Sequence, residues 1–161
     1  MHLIKICKSA KKSASDLAVL SNSKRNKILE DLSKNLDERK EEIFNSNKRD
    51  LKKNKTLSKE LKDRLIINDK KLKDIIRSIK NVKKLNDPLN GSEEYVRKDG
   101  LEIIKKVIPI GVICAIYESR PNVTIDITSL CIKSGNVAIL RGGKESLSTN
   151  SILINIIQKT L

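Results

Sequence analysis

Two short polar segments, residues 118–122 and 141–145, contain the side chains best suited to bind a ligand. Each follows an apolar run without alternation, at 112–117 and 137–140. Runs of this kind predict strands that are buried on both faces of a parallel sheet. Ligands of open α/β sheets bind at the carboxyl ends of the strands, so the two polar segments predict one binding site.

The second polar segment has the chemistry of an anion site. Arg141 and Lys144 carry positive charge suited to a phosphate group, and Gly142 and Gly143 let a ligand approach the backbone closely. A helix is predicted to begin just after this segment, and the unpaired N–H groups of a helix N-terminus attract anions. Glu145 either contacts the ligand or favours the first helical turn. An ordinary turn between a strand and a helix is the alternative interpretation.

The first polar segment offers two further candidates. The guanidinium of Arg120 could hold a phosphate or carboxylate group of a substrate, or could pair with Glu118 in a structural role. Asn122 precedes a helix predicted to start at Val123, where its side chain could serve as the N-cap.

The elements that must position these segments form a β-α-β unit. Between the predicted strands, Val123, Ile127, Leu130 and Cys131 recur at helical spacing and predict one apolar helix face. Gly135 lies where the helix would end in a left-handed conformation. Such a unit places its two strands parallel with a right-handed crossover.

Residues 1–90 predict a series of amphipathic helices. The second of these helices, which carries Ile28 and Ile43, is expected to break at residues 45–47, where three short polar side chains compete with the helix backbone. Residues 91–109 change character, because Asp99-Gly100 between β-rich runs predicts a hairpin. A two-stranded hairpin is marginal in water, so it should pack on another subunit or on its own helices.

Composition excludes several classes of protein. The net charge of +14 lies mainly in residues 1–90, which hold 25 Lys and Arg against 13 Asp and Glu, and aromatic residues are scarce. This distribution predicts a solvated helical surface rather than a nucleic-acid interface, which clusters basic and aromatic residues. No apolar run is long enough to cross a bilayer, no secretory leader is evident, and a cytoplasmic protein is expected.

The cysteines give no indication of a metal site. Cys7, Cys114 and Cys131 lack the spacing of metal ligands. Cys114 lies within a predicted strand and Cys131 on a predicted apolar helix face, so both are expected to be small buried side chains. A nucleophilic role for either is the sharper alternative, but an activated thiol needs exposure and a positively charged neighbour.

Four motifs together resemble the gamma-glutamyl phosphate reductase family of the aldehyde dehydrogenase superfamily. They are PIGV at 109–112, YESRPNV at 117–123, KSGN at 133–136 and ILRGGKE at 139–145, with weaker similarity at Asp63-Arg64-Leu65 and Asn86-Asp87-Pro88. The resemblance covers essentially the whole chain but only the N-terminal portion of the family. It implies an α/β fold in one incomplete NADP-binding domain: N-terminal helices at 1–90, a protruding oligomerisation hairpin at 91–109, and the first β-α-β-α part of a Rossmann-like cofactor domain at 110–161.

The resemblance also implies roles for the site residues. Arg141 would contact the adenosine ribose and, with Lys144, the 2′-phosphate of NADP, and Gly142, Gly143 and Glu145 would complete the cofactor site. Asn122 would donate its amide to an oxyanion, and Arg120 would bind substrate. The implied reaction is NADPH-dependent reduction of gamma-glutamyl phosphate to glutamate 5-semialdehyde in proline biosynthesis.

The family's nucleophilic Cys would lie beyond Leu161, so this chain alone is expected to be inactive. A homo-oligomer through residues 93–109 is expected for the complete enzyme. The alternatives are a fragment that docks on other subunits and a basic nucleic-acid-binding domain.

Overall fold

The computed structural model describes residues 2–161 and consists of seven α-helices, four strands and one 3-10 turn within that range. The five N-terminal helices are α1 (His2–Ala18), α2 (Asn22–Glu38), α3 (Lys40–Lys53), α4 (Lys59–Leu65) and α5 (Asp69–Lys84). They are followed by β1 (Ser92–Val96), β2 (Glu102–Lys106), β3 (Val112–Ile116), α6 (Pro121–Lys133), β4 (Val137–Arg141), the turn Lys144–Ser146 and α7 (Leu147–Thr160). The predicted α/β fold is confirmed.

The hydrophobic core lies between helices of both halves of the chain. Helices α2 and α5 supply half of its aliphatic side chains, and α6 and α7 supply Ile125, Leu153 and Ile156, which are fully buried. The β-α-β unit is therefore packed against the helical region rather than joined to it by a linker. None of the described helices is both long and apolar enough to cross a membrane.

The predicted helix break at residues 45–47 is wrong, because α3 continues through them and the chain bends instead at Arg39. Ser46 and Asn47 are buried. Asn47 directs its side chain away from its own helix: its oxygen accepts from the Ile67 N–H at 2.8 Å, and its nitrogen donates to the Leu65 carbonyl at 2.9 Å. A polar side chain with tertiary partners no longer competes with the helix backbone.

Strands β1 and β2 form the predicted hairpin, paired antiparallel from Ser92 opposite Lys106 to Val96 opposite Glu102. Gly100 closes the connection with φ +86°, and its N–H donates to the Arg97 carbonyl. Except for Ile103, which is half-buried, every residue of both strands is exposed. The hairpin therefore protrudes, and the alternative in which it packs on its own helices is wrong.

Strands β3 and β4 pair in parallel, with Val112 opposite Val137 and Ile116 opposite Arg141. They form a separate two-stranded sheet. The expectation that these strands are buried on both faces is wrong for this chain. Cys114 and Ile116 are exposed, while the alternating Ile113 and Ala115 are half-covered. Only one face of β3 is therefore partly covered by the described residues.

The apolar face predicted for α6 is also wrong in orientation. Leu130 is half-exposed, and Val123 and Ile127 are only partly buried. The buried face instead carries Ile125 and Ile132, together with the polar residues Thr124, Thr128 and Ser129. Thr128 and Ser129 satisfy their hydroxyls on carbonyls four residues earlier, so helix α6 buries polar side chains without leaving them unpaired. Cys131 is buried as predicted.

A buried arginine connects α2 to the segment that follows α5. Arg25 is 2% exposed, and its Nη2 donates to Asp87 Oδ1 at 2.7 Å. Asp87 also accepts from the Leu89 N–H, so one carboxylate fixes both the buried cation and the local backbone. The Nε and Nη1 atoms of Arg25 are buried without a partner among the described residues. Asp87 is therefore the main compensation for this buried charge.

A second cation lies near the first. Lys133, at the end of α6, is buried and donates to Asn22 Oδ1, Asn26 Oδ1 and the Lys83 carbonyl at 2.9–3.1 Å. Its three donors are thus matched by three acceptors. Burial lowers the pKa of Lys133 below its ordinary value, with nearby Asp87 opposing the shift and Arg25 adding to it.

We expect Asp87→Asn to lower the free energy of unfolding by about 2–4 kcal/mol. Removing one partner of a buried pair costs about 3–5 kcal/mol because the other charge remains buried, and Asp87 is itself partly exposed, which reduces the loss. Urea unfolding of the chain measures the change. The control is Asp31→Asn, which removes an exposed pair with Lys27 and should cost less than about 1 kcal/mol. Equal losses would contradict the assignment of Asp87.

Candidate functional site

The two polar segments lie side by side at the carboxyl edge of the β3–β4 sheet, as the parallel pairing requires. The Tyr117 N–H donates to the Arg141 carbonyl at 3.0 Å, which extends the pairing into the first residues of both loops. Arg141 is the last residue of β4 rather than the first residue beyond it. The sequence therefore placed the two loops at the correct edge.

The loops approach each other so closely that one position requires glycine. A Cβ atom built on Gly143 would lie 2.0 Å from Ser119 Oγ and 3.0 Å from the Ser119 backbone nitrogen. The φ of Gly143 is −64°, so the requirement is for space rather than for a left-handed backbone. Gly142 similarly faces the Asn150 amide and the Tyr117 ring. Gly143 therefore permits contact between the loops, and Gly142 leaves room for Tyr117 and for Asn150 of α7. The ligand contact predicted for the two glycines stays a prediction.

A chain of hydrogen bonds behind the loops joins β3, α6, α7 and the second loop. Tyr117 OH lies 2.6 Å from Thr124 Oγ1, Thr124 donates to Asn150 Oδ1, Asn150 donates to Ser146 Oγ, and Ser146 donates to the Gly143 carbonyl. Because the single hydroxyl hydrogen of Thr124 is used on Asn150, Tyr117 must be the donor to Thr124. Burial raises the pKa of Tyr117, which keeps this donor protonated.

The N-terminus of α7 is already occupied by a carboxylate from another helix. Asp50, on α3, accepts from the Ser148 N–H at 3.0 Å and from the Thr149 N–H at 2.7 Å. Thr149 Oγ1 also donates to Asp50. The expectation that free N–H groups at this helix end attract an anion is therefore wrong, because an internal anion has taken them. Positive charge for a ligand has to come from side chains.

Arg141 and Lys144 are exposed and make no ion pair with any residue that the structure describes. They flank the glycine pair at the edge of the sheet. Two unpaired cations in this position fit an anionic group such as a phosphate. Neither residue is among those that line the two grooves described below, where Arg120 and Asn122 lie.

Glu145 faces the first loop rather than solvent. Its Oε2 accepts from Ser119 Oγ at 2.5 Å, and its backbone carbonyl accepts from Asn54 Nδ2 at 3.0 Å. The Ser119 hydrogen bond, with further contributions from the N–H of Glu145 itself and from Lys144, lowers the pKa of Glu145. A depressed folded pKa stabilises the loop contact above the unfolded pKa, and that contribution is lost as pH falls through the folded value.

We expect Ser119→Ala to raise the pKa of Glu145 toward its ordinary value, because the hydrogen bond with the largest effect on the carboxylate is removed. Carboxyl carbon chemical shifts recorded by NMR across a pH titration of the chain report the change. Ser151→Ala is the control, since Ser151 donates to Leu147 on α7 and does not touch Glu145. A Glu145 titration that is the same in both variants would refute the assigned cause.

Arg120 lies between two grooves on the surface. One groove, of about 310 Å³, runs between α4 and the two loops, and Arg120, Gly143 and Glu145 are among its lining residues. The other, of about 500 Å³, lies between the α4–α5 region and the start of α6, with Arg120 and Asn122 in its wall. Arg120 Nη2 is 3.2 Å from Glu118 Oε2, as the structural alternative anticipated.

The N-cap alternative for Asn122 is wrong. Arg120 occupies the N-cap position, Pro121 begins α6, and Asn122 lies exposed in the first turn. Its amide nitrogen is 3.2 Å from Asp126 Oδ2, and the other oxygen of Asp126 accepts from Ser78. Asn122 therefore lies in the wall of the larger groove with its amide nitrogen directed to Asp126, and its predicted role as an oxyanion donor stays a prediction.

Sequence reasoning missed several residues that shape this site. Arg64 lines both grooves, Ser119 holds Glu145, and Thr124 and Asn150 connect the loops from behind. The Asp63-Arg64-Leu65 motif was a signal for Arg64. No local pattern could have placed Thr124 beside Asn150, because the two residues meet only when α6 and α7 pack together.

Comparison with known proteins reveals relatives along the whole chain. No family model matches it. The gamma-glutamyl phosphate reductase of Actinobacillus pleuropneumoniae serotype 3 (strain JL03) is 40% identical over 164 residues, which cover 100% of this chain and 40% of the relative. The chain therefore spans about two-fifths of the length of the curated relatives that it matches.

Solved structures agree with the sequence match. The crystal structure of gamma-glutamyl phosphate reductase from Thermotoga maritima has a TM-score of 0.95 and 36% identity, and the match covers 99% of this chain and 39% of that chain. A putative aldehyde dehydrogenase from Bacillus subtilis matches with a TM-score of 0.68 at 18% identity, over 94% of this chain and 32% of that chain, which indicates a shared fold alone. By sequence and by fold, the chain is similar to the N-terminal part of gamma-glutamyl phosphate reductase.

Proposed function

We propose that the chain forms the N-terminal part of the cofactor-binding domain of an NADPH-dependent gamma-glutamyl phosphate reductase, a cytoplasmic enzyme of proline biosynthesis. The observation that carries the proposal is the match to the Thermotoga maritima enzyme, with a TM-score of 0.95 over 99% of the chain. In the proposed division, residues 1–90 form the helical support, 91–109 the projecting hairpin and 110–161 the core of the cofactor site.

The reaction converts gamma-glutamyl phosphate, NADPH and a proton into glutamate 5-semialdehyde, phosphate and NADP⁺. The cofactor supplies the hydride when bound. The residues of this chain bind and orient the cofactor and the substrate. Arg141 and Lys144 hold the 2′-phosphate side of the cofactor, and Gly142, Gly143 and Glu145 shape the loop beside it. Arg120 binds an anionic group of the substrate, and the Asn122 amide donates a hydrogen bond to the oxyanion that develops at the reacting carbon.

A chimaera tests this proposal directly. The matched N-terminal part of the Thermotoga maritima enzyme is replaced by this chain, and phosphate-dependent reduction of NADP⁺ with glutamate 5-semialdehyde is followed by absorbance. We expect turnover that requires phosphate and is absent from either part alone. A folded chimaera without turnover, beside an active parent enzyme, would refute the proposal.

Arg141→Ala in the chimaera should weaken the binding of NADPH by about 1.5–3 kcal/mol, the scale of a hydrogen bond to a charged group. The binding of NADH, which lacks the 2′-phosphate, should be weakened much less. The measurement is the ratio of kcat/KM for the two cofactors before and after substitution. Arg77→Ala, at an exposed arginine on α5 paired with Asp74, is the control and should leave the ratio unchanged.

Equal losses for the two cofactors in Arg141→Ala would contradict the phosphate assignment. Arg141 would then contact a group common to both cofactors, or hold the shape of the loop.

We also propose that the hairpin joins this chain to another subunit. Tyr95, Val96, Ile104 and Val107 are each more than half exposed on or beside a two-stranded ribbon. An isolated ribbon with apolar exposed side chains is stabilised when it pairs with further strands or packs on another surface. The same exposure supports the second candidate function, a module that docks on other subunits without catalysing a reaction.

Ile103→Lys together with Val107→Lys should dissociate the assembled enzyme, because two charges would be buried at the contact. Sedimentation velocity of the chimaera reports its assembly state. Val19→Lys is the control, since Val19 is an exposed apolar residue in the connection after α1. An unchanged assembly in the double variant would exclude the hairpin as the contact.

A further inference from the structure

Two arginines from different elements converge on one carboxylate oxygen at the boundary between the grooves. Arg64 Nη1, at the end of α4, and Arg120 Nη2, at the N-cap of α6, each lie 3.2 Å from Glu118 Oε2. Their separation in sequence means that the packing of α4 beside the β3–α6 loop brings the two guanidiniums together. We call Arg64, Glu118 and Arg120 the arginine pair and its carboxylate.

This arrangement has little structural value. The side chains of Arg64, Glu118 and Arg120 are 47%, 67% and 44% exposed, and exposed ion pairs contribute little to stability. One carboxylate also leaves the cluster with one excess positive charge. Glu118 can leave the arginine pair for solvent at small cost, so the two guanidiniums are available to another anion.

Two grooves meet at the arginine pair. Both arginines line both grooves, so each groove opens toward the same two guanidiniums. The larger groove also contains Asn122, the cation Lys71 and three carboxylates, and the smaller contains Ser119, Gly143 and Glu145; the three carboxylates of the larger groove are those of Asp63, Asp74 and Asp126. An oxyanion held between the arginines would therefore extend toward the Asn122 amide on one side and toward the loop that follows β4 on the other.

From this geometry we infer that Arg64 and Arg120 jointly bind an oxyanion of the substrate, a carboxylate or a phosphoryl group, and that Glu118 occupies the site until the substrate displaces it. The inference deepens the proposed function and rests on it for the identity of the substrate. Two guanidiniums can grip one oxyanion from two directions, which gives more specificity than a single arginine. Arg64 thereby becomes a specificity-determining residue, and Glu118 an internal competitor.

Because Glu118 competes with the ligand for the two arginines, substitution of an arginine and substitution of Glu118 should change the affinity for the oxyanion in opposite directions. Arg64→Gln and Arg120→Gln each remove one donor and should weaken binding at least about 5-fold. Glu118→Gln removes the competing charge while keeping the size of the side chain, so it should tighten binding about 3-fold or more. A cluster that serves only the fold would not respond with opposite signs. Arg97→Gln is the matched control, because Arg97 is an exposed arginine that pairs with Asp99 in the hairpin.

The experiment titrates the 161-residue chain separately with inorganic phosphate and with L-glutamate, and follows arginine side-chain and loop amide signals by NMR. Binding by phosphate alone identifies the phosphoryl group as the ligand, and binding by glutamate alone identifies the carboxylate. Binding of neither probe, unchanged affinity in Arg64→Gln, or weaker binding in Glu118→Gln would each overturn the inference.

The chimaera separates this inference from the proposed function. Arg64→Gln should raise KM for the substrate that carries the bound oxyanion and leave KM for NADP⁺ unchanged. If the probes bind with the expected signs but the chimaera has no turnover, the proposed function fails and the oxyanion site stands. If the chimaera turns over and Arg64→Gln leaves every KM unchanged, the oxyanion site fails and the proposed function stands.

Discussion

The contact between the two loops at the carboxyl edge of the sheet is the constraint on which the site depends. Parallel pairing of β3 and β4 brings Tyr117 and Arg141 together, but it does not by itself fix the loops beyond them. The hydrogen-bond chain from Tyr117 to the Gly143 carbonyl does so, because each member has a partner and the chain is partly buried. Polar networks shielded from water are rigid when every member is satisfied.

A second polar cluster holds the opposite end of the same β-α-β unit. Gly135 ends α6 with φ +71° and packs against Leu89, Pro109 and the buried guanidinium of Arg25. Asn136 then accepts from the Gly111 N–H at 2.7 Å, just before β3. The unit is therefore fixed at both ends, by buried cations at the amino edge and by neutral hydrogen bonds at the carboxyl edge. The loops can carry exposed charges because the scaffold beneath them is held at two points.

The parts of the structure that follow local rules were predictable from the sequence. The β-α-β order, the hairpin at Gly100 and the position of the two loops depend on spacing and on turn chemistry. The parts that depend on packing between distant segments were not. Asn47 stays helical because its side chain hydrogen-bonds to the backbone of Leu65 and Ile67. The N-terminus of α7 is capped by Asp50 from α3. Neither partner is recognisable before the helices are packed together.

Predicted burial failed for a related reason. An apolar run predicts burial, but what covers a strand is set by the neighbouring elements, and the described residues cover only one face of β3 in part. The predicted face of α6 was misplaced because Thr124, Thr128 and Ser129 are buried with their hydroxyls satisfied, and a pattern of apolar residues does not count them. Of the predicted face, which comprised Val123, Ile127, Leu130 and Cys131, Cys131 is buried. Hydrophobic periodicity thus identifies the helix but misplaces its face when buried positions are polar.

The chain uses arginine in two physically distinct ways, and burial separates them. Arg25 is 2% exposed, so exchange of its carboxylate partner would leave a buried charge without compensation, and the pair is fixed. Arg64 and Arg120 are about half exposed, and water can solvate them whenever Glu118 moves away. At the amino edge Arg25 therefore keeps its carboxylate partner, whereas at the carboxyl edge Arg64 and Arg120 can exchange theirs at low cost in free energy. A ligand site needs arginines that can exchange partners, and these arginines lie on a scaffold that the fixed Arg25 pair helps to hold in place.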